Sequence, residues 1–380
     1  MISTNLNRPI ITYENIALFQ SESPAYDSES NKGDNITRIQ LVQNIDFSFQ
    51  IPREDIKSLG SKSFVDRVVK TAPDINLNIN IFEDFGFLFY SMFSGSGLRD
   101  NINLDTNFYA VIGDKRGDDI FNEINLSGKD VLSFGNCFFK DLSMSQSVKG
   151  LMTSQYSFVA SNVQAQQLTK AYQEENIFTG QCPAINLTGD QSQNLGFEIE
   201  NSGALNRSTS IIPAYSTNVT ISGNNSVGNF LIQSDPVQSF NLDLSIDRKD
   251  IYTIGKKYPL IRKAVFPNKS TFNFSNKISN FEVSGYRSNL KDFLNTDESY
   301  TVKINGTNFI EESFELEIKN ATFDSQNISS SIDSELTSQL SFSFDITDFS
   351  YSIATFNNML LLQDSANILK NDNGYILLEF

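Results

Sequence analysis

The residue types that most enzymes use for acid–base and nucleophilic catalysis are scarce in this chain. Its 380 residues include no histidine and only two cysteines, Cys137 and Cys182. The lack of histidine excludes Ser-His-Asp and Cys-His catalytic arrangements and every zinc site with an imidazole ligand. Two isolated cysteines form neither a thiolate zinc site nor a CxxC motif. We expect both to be unpaired thiols because the sequence shows no secretion signal.

The remaining candidates for chemistry are carboxylates and two polar segments. Paired carboxylates catalyse glycoside hydrolysis, but a chain with 45 Asp and Glu residues contains many pairs and nominates none. The segment Ser94-Gly95-Ser96-Gly97 lacks the lysine and the βαβ context of a phosphate-binding loop. Residues 114–119 lack the ligand spacing of a calcium loop, which favours a solvated turn. We therefore predict no catalytic, cofactor-binding or metal-binding residues and a protein that is not an enzyme.

The most informative elements of the sequence are two repeated blocks. Residues 42–67 recur at 237–262 with a constant shift of 195 and nine identities in 26 positions. In each copy apolar and polar residues alternate, as around Phe47 and Leu242, which predicts a half-buried strand. Residues 145–158 recur at 329–342 with seven identities in 14 positions. The two blocks together predict an internal duplication.

Each repeated strand is followed by a segment that predicts a short helical turn. Pro52 or Asp247 begins the turn, and Gly60 or Gly255 ends it in the left-handed conformation that other residues avoid. A further strand pattern follows, from Ile75 to Ile81 in the first copy and around Phe272 and Phe274 in the second. Residues 163–173 are the only other plausible helix. The 32 Phe residues with Ser, Thr and Asn between them are typical of many short strands.

The predicted fold is mainly β, with two duplicated antiparallel β-sandwich or barrel domains that each carry a short helix. We predict an N-terminal arm at 1–41, a first domain at 42–162, a connector with minor β structure at 163–235, a second domain at 236–346, and a C-terminal β-meander at 347–380. The arm contains the apolar run Ile16-Ala17-Leu18-Phe19 and is expected to become ordered on a neighbouring subunit. The meander includes an Asn373-Gly374 hairpin signal and needs a covering surface.

Charge and hydropathy restrict the partners of the protein. The net charge of −16 opposes tight binding of nucleic acid phosphates, but it is compatible with a passage that DNA crosses without adhering. No apolar run reaches the roughly 20 residues of a membrane helix. The first residues lack the basic and apolar segments of a signal peptide, so we expect the protein to begin in a cytoplasm.

Two motifs resemble the major tail (tail tube) proteins of tailed bacteriophages, especially those with the tube domain in tandem. One is Arg53-Glu54-Asp55-Ile56-Lys57-Ser58-Leu59-Gly60 after the Val42-Gln43 strand. The other is Ser133-Phe134-Gly135-Asn136-Cys137-Phe138, which leads into residues 143–162. The resemblance covers 42–162 and 236–346. It implies a β-sandwich or partly rolled barrel with a small flanking helix, whose copies assemble into stacked rings.

The resemblance also implies how such a tube is organised. Strands of neighbouring subunits line its lumen, and arms and loops bridge successive rings. The implied partners are copies of the chain, neighbouring tail proteins and viral DNA in passage, with no cofactor and no membrane insertion. The implied location is the virion tail, after assembly in the host cytoplasm.

Several alternatives stay open at this point. Because the domain is duplicated, three chains could form a ring with six-fold symmetry of domains. A ring of six chains, with the second domain on the outside, fits the sequence equally well. Another tail component, such as a baseplate hub, distal tail or terminator protein, forms a single ring that does not polymerise. A ligand-binding adhesin β-sandwich is a different class, against which the lack of tryptophan and of a signal peptide counts. An acidic glycosidase is the remaining minor alternative.

Overall fold

The computed structural model shows a mainly β protein built from antiparallel strands. It describes residues 16–21, 36–60, 62–85, 87–93, 105–113, 126–170, 177–182, 195–200, 211–223, 237–255, 258–259, 261–277, 299–308, 313–330 and 335–354. Within these residues it contains 22 strands and one α-helix, α1 (Phe87–Phe93).

The first ten strands form a two-layered unit. They are β1 (Ile16–Ser21), β2 (Ile36–Arg38), β3 (Val42–Gln50), β4 (Arg53–Ile56), β5 (Asp66–Val69), β6 (Asp74–Phe82), β7 (Asp105–Ile112), β8 (Asp130–Ser147), β9 (Thr153–Ala160) and β10 (Asn162–Gln167). One layer contains β3, β6, β9 and the C-terminal part of β8. The other contains β2, β1, β7, the N-terminal part of β8, and β10. The long strand β8 crosses between them at a bulge between Phe139 and Asp141.

The last nine strands form a second unit. They are β14 (Thr217–Gly223), β15 (Val237–Ser245), β16 (Arg248–Ile251), β17 (Ile261–Ala264), β18 (Lys269–Lys277), β19 (Tyr300–Thr307), β20 (Ser313–Ser329), β21 (Thr337–Asp345) and β22 (Phe349–Ala354). The intervening strands β11 (Thr169–Lys170), β12 (Ile177–Cys182) and β13 (Leu195–Glu200) form a separate three-stranded sheet. Helix α1 packs against the second unit, with the Phe89 ring centroid 4.7 Å from that of Tyr351.

Both units pair their strands in the same order. In the first unit the pairs are β1–β7, β7–β8, β8–β10, β8–β9, β9–β6 and β6–β3. In the second they are β14–β19, β19–β20, β20–β22, β20–β21, β21–β18 and β18–β15. The bounds of β3 to β6 and of β15 to β18 differ by a constant 195 residues. The long strand β20 has its bulge between Phe323 and Ser325, 184 residues after the bulge in β8.

The two units are joined into one sheet because β15 pairs with the C-terminal part of β8. The resulting sheet has 15 strands within the described residues, and eight of them lie side by side in the order β3, β6, β9, β8, β15, β18, β21, β20. We call these eight strands the junction sheet. Its core side packs against the outer layers; for example, the ring centroids of Phe108 in β7 and Phe158 in β9 are 4.7 Å apart. Its other side carries mainly Ser, Thr, Asn and Gln residues, because the strands alternate apolar and polar positions.

The predicted strands and glycines are confirmed. β6 buries Ile75, Leu77, Ile79 and Ile81, and β18 buries Phe272 and Phe274. Gly60 and Gly255 have φ of +83° and +87°, as expected for residues that end a turn.

The predicted helices are wrong. The residues after Pro52 and Asp247 form β4 and β16, which pair with β5 and β17 as hairpins. Residues 162–167 form β10 on the edge of β8, and residues 169–170 form β11, so the segment 163–173 does not begin as a helix. Helix α1, the one α-helix in the described residues, is not among the predicted segments. The wrongly predicted segments are short and mainly polar or charged, and their pairing with other strands outweighs local propensity.

The predicted segment boundaries cut through both units. β1 and β2 lie in the predicted arm at 1–41, but β1 pairs with β7 of the same chain and buries Ala17, Leu18 and Phe19. The prediction that this part of the arm becomes ordered on a neighbour is therefore wrong. Likewise, β10 and β14 of the predicted connector belong to the first and second units, and β22 of the predicted meander belongs to the second. Residues 355–380, with Asn373-Gly374, lie outside the described residues.

Candidate assembly interface

The junction between the two units is an antiparallel strand pairing within one chain. β15 and β8 pair over seven positions, from Ser239↔Ser147 to Ser245↔Asp141. On the core side Leu242 lies opposite Met144, and both side chains are fully buried. The ladder continues beyond β15, where the N–H of Ile246 donates to the carbonyl oxygen of Lys140 at 2.8 Å. The core side of the junction is thus buried, and its backbone pairing is continuous from Ser239 to Ile246.

Short polar side chains bridge the junction on its other side. Ser143 Oγ donates to Asp243 Oδ1 at 2.6 Å, and Ser245 Oγ donates to Asp141 Oδ1 at 2.7 Å. Hydrogen bonds to an ionised acceptor are stronger than those between neutral groups. They also help to set the register, since a slip of one residue would exchange the two faces of the strand.

Arg248, the first residue of β16, fixes the end of the junction. Its Nε donates to the carbonyl oxygen of Phe139 at 2.8 Å, and its guanidinium lies 5.2 Å from the ring centroid of Phe138. Burial, reinforced by the charge of Arg262, lowers the pKa of Arg248 to about 10, so the side chain is charged at neutral pH. Arg262 itself is buried, with its Nε 3.6 Å from Asp250 Oδ1.

β3 occupies in the first unit the position that β15 occupies in the second, but its outer edge is open. In the described part of the chain β3 pairs only with β6. Phe47 and Phe49 are 41% and 59% exposed, whereas Leu242, the equivalent of Phe47, is 0% exposed. Ile51 and Ile246 show the difference most directly, because they are the same residue type at equivalent positions. Ile51 is 40% exposed, whereas Ile246 is 1% exposed. The half-buried strand predicted from the sequence is therefore found in β15 and not in β3.

The opposite end of the junction sheet is the C-terminal part of β20. Among the described strands, residues 325–329 pair with β21 alone, whereas the equivalent part of β8 lies between β9 and β15. Ile328 is 43% exposed, whereas Met144 at the equivalent position of β8 is fully buried. Within the described residues each chain therefore has two open edges in the junction sheet, and they correspond to the two strands of its own junction.

The charged residues around Arg248 recur beside the open edge of β3. Arg53, Asp55 and Arg67 stand 195 residues before Arg248, Asp250 and Arg262. Arg67 Nε lies 2.7 Å from Asp55 Oδ1, but the Arg67 side chain is 57% exposed. Arg53 is exposed as well. The same three residue types are thus covered at the junction and uncovered at the open edge.

The polar side of the junction sheet forms a shallow groove of about 790 Å³. Its lining consists mainly of Ser, Thr, Asn and Gln side chains from β8, β9, β15, β18, β20 and β21. Lys269 and Lys277, at the two ends of β18, form ion pairs with Asp324 and Glu335. Because carboxylates accompany these lysines, the groove does not resemble a phosphate-binding surface, which needs clustered cations.

The sequence nominated no catalytic or ligand-binding residue for the structure to place. Within the described residues no group of three or more His, Cys, Asp or Glu side chains is arranged to hold a metal ion. Residues 94–97 and 114–119 lie outside those residues. Cys137 is buried in the core of the first unit. The side chain of Cys182 is not described, so the absence of a disulfide stays a prediction.

None of the helices in the described residues is both long enough and apolar enough to cross a membrane.

Arg53, Asp55 and Arg67 are among the repeated identities of the sequence, but the sequence pattern placed Arg53 and Asp55 in a helical turn and gave Arg67 no role. It therefore missed their relation to the sheet edge. The sequence signal that could have revealed this relation is that the same charged residues occur in both copies. Charged residues are mostly exposed, so packing alone seldom explains why two copies share them. Comparison with protein-family models and with curated proteins finds no match to this chain.

Proposed function

We propose that the protein is a structural subunit that assembles with copies of itself into closed rings, which stack into the tail tube of a tailed bacteriophage. The observation that carries this proposal is the junction sheet, in which one copy of a strand interface is formed within the chain and the matching strands at its two ends are open. An interface whose two sides lie on different surfaces joins copies head to tail. Such a contact generates a ring when its rotation closes.

Open sheet edges with exposed aromatic residues favour this self-association. Unpaired strand edges are a hazard for a monomer, and closure into a barrel removes them. The edge of β3 exposes Phe47 and Phe49 and lacks the lysines and prolines that commonly protect an edge strand. We infer that the edge is exposed in the single chain because another copy covers it in the assembly.

The repeated strand order and the two offsets of 195 and 184 residues support an internal duplication of a tube-forming β-domain. In a head-to-tail ring each chain then supplies two equivalent positions. Three chains would give six-fold pseudo-symmetry with one continuous lumen-lining sheet. With strands about 4.8 Å apart and tilted by about 40°, three copies of the junction sheet close into a barrel with a backbone diameter of about 48 Å, and six copies into one of about 96 Å.

The polar face of the junction sheet has the chemistry expected of a DNA passage. It carries hydroxyl and amide side chains together with Asp46 and Asp243, and it lines the groove of about 790 Å³. Such a surface offers few cations to retain phosphates, so DNA crosses it without specific binding. The chain as a whole has a net charge of −16, in keeping with a conduit that repels its cargo.

Stacking of rings is supported by the two equivalent hairpins β4–β5 and β16–β17. Leu59 and Ile254 lie in their loops and are fully exposed (105% and 107%). The hairpins stand at the same position of both units, so a ring of alternating units presents a repeated set of apolar tips. Contact of these tips with the next ring, or with neighbouring tail proteins at the ends of the tube, would cover them in the virion.

Negative-stain electron microscopy of the concentrated protein tests the proposal. We expect hollow tubes or stacked rings, and a lumen near the smaller barrel diameter would indicate three chains per ring. Single rings that never stack would assign the protein to a hub, distal tail or terminator role in the same tail. A protein that stays monomeric at all salt and protein concentrations would refute self-assembly as its function.

A further inference from the structure

We propose that β3 of one copy pairs with residues 325–330 of the next copy, in the register of the β15–β8 junction. This inference rests on the self-assembly proposed above and assigns its lateral interface. It identifies the partner as a second copy of this chain because the two open edges match the two strands that already pair within the chain.

The register follows from the two offsets between the units. β3 and β15 have the same bulge against their inner neighbours, at Val42/Asn44 and at Val237/Ser239. The C-terminal parts of β8 and β20 also share a bulge, so the junction pairs can be transferred residue by residue. The predicted pairs between copies are Ile45↔Ser330, Asp46↔Ser329, Phe47↔Ile328, Ser48↔Asn327, Phe49↔Gln326 and Gln50↔Ser325.

At two positions this register places side chains of compatible chemistry opposite each other. Phe47 and Ile328, both exposed in the single chain, meet at the position of the buried Leu242–Met144 pair. Ser48 and Asn327 stand where Asp243 accepts a hydrogen bond from Ser143, and each of them can donate and accept. A slip of one residue would place Phe47 on the core side opposite a residue of the polar side.

Arg53 has a defined acceptor in this arrangement. Arg248 donates to the carbonyl oxygen of Phe139, and the residue 184 positions after Phe139 is Phe323. Arg53 of one copy is therefore positioned to donate to the carbonyl oxygen of Phe323 in the next copy. Its exposure in the single chain, in contrast to that of Arg248, is explained if the interface with the neighbouring copy buries it.

Cysteine cross-linking tests the register directly. A Ser48→Cys/Asn327→Cys variant, made with Cys182→Ser and with the buried Cys137 retained, should form intermolecular disulfides on mild oxidation. The two positions lie at opposite ends of the junction sheet in one chain, so the products must join different copies. A closed ring gives a ladder of multimers on a non-reducing gel that ends at the number of chains per ring.

A matched control uses Gln50→Cys with Ser329→Cys. The proposed register separates these positions by four residues, about 13 Å along the strand. We expect at least tenfold less cross-linking than for the 48/327 pair. If microscopy shows rings while the control pair cross-links equally well or the 48/327 pair does not cross-link, the register is wrong and self-assembly stands. If neither variant nor the unmodified protein assembles, the proposed function fails and the interface with it.

Substitution of the two equivalent arginines provides an independent test. Arg53→Ala should leave the thermal midpoint of the monomer unchanged and weaken lateral association at least tenfold, as expected for loss of a charged hydrogen bond. Arg248→Ala should lower the midpoint of the monomer, because the same contact lies within the chain. Unchanged assembly of Arg53→Ala, measured by sedimentation velocity, would refute the role of Arg53.

Discussion

The buried carboxyl of Glu83 gives a stability prediction whose size can be worked out from its surroundings. Glu83 follows β6 and is fully buried. Its Oε2 accepts a hydrogen bond from the Tyr156 hydroxyl at 2.7 Å, and its Oε1 accepts one from the N–H of Phe85 at 2.8 Å. Burial, and next the nearby charge of Asp84, raises the pKa of Glu83 from 4.5 to about 7.

The direction of the pH dependence follows from this pKa. Because the folded-state pKa lies above the unfolded value, the stabilising contribution of Glu83 is fully present below about pH 4.5 and is lost as the pH rises through 7. At about 1.4 kcal/mol for each unit of pKa, the loss amounts to about 3 kcal/mol. The variant Glu83→Gln lacks the ionisation and keeps the acceptor for Phe85, so its free energy of unfolding should not show this loss.

Denaturant unfolding of both proteins at pH 5 and pH 8 measures the difference. Relative to the unmodified protein, Glu83→Gln should gain about 2–3 kcal/mol between the two pH values. Glu54→Gln is the matched control, since it makes the same change at a side chain that is 66% exposed. Parallel stability curves for Glu83→Gln and the unmodified protein would refute the reasoning that burial determines the ionisation of this carboxyl.

Three further predictions test the interface and the fold. Phe49→Asp should block ring formation, seen by electron microscopy, without lowering the thermal midpoint of the monomer. Leu244→Asp, at the equivalent buried position, should unfold the second unit. Equal effects of the two changes on the monomer would contradict an open β3 edge. Gly60→Ala and Gly255→Ala should each lower the free energy of unfolding by about 1–2 kcal/mol in chemical denaturation, because both glycines have positive φ. The added methyl group meets open space, so no steric clash adds to this backbone strain. Phe19→Ala should cost about 3–5 kcal/mol in the same assay, since β1 is a buried strand of the first unit, and a negligible loss would place β1 outside its core.

The sequence was informative where local pattern and local conformation coincide. Alternation of apolar and polar residues predicted the strands β3, β6, β15 and β18, because side chains on a strand face opposite sides with a period of two. The glycines Gly60 and Gly255 were predicted to be left-handed, since few other residues adopt that conformation at low cost. The repeated blocks predicted that the segments following residues 42 and 237 adopt the same local structure, which the strand bounds show.

Prediction from the sequence was wrong where a segment is too short to show the periodicity of a helix or of a strand. Residues 53–56 form a strand in place of the predicted helical turn, because hairpin pairing with β5 decides their conformation. β1 was assigned to an arm, since its partner β7 lies about 90 residues away in the sequence and nothing local indicates that pairing. Helix α1 was missed because a run of seven mainly apolar residues does not distinguish a helix from a strand.

The sequence by itself determined a β-rich chain with two similar halves, without histidine-dependent chemistry and with a strongly acidic balance. Only the tertiary structure decided which edges are covered and which are open. Phe47 and Leu242 occupy equivalent positions in nearly the same pattern, yet one is exposed and the other is buried. In the described residues β15 pairs with β8 as well as with β18, whereas β3 pairs with β6 alone. That asymmetry depends on long-range contacts, and it leads to the proposal that another copy of the chain supplies the missing strand.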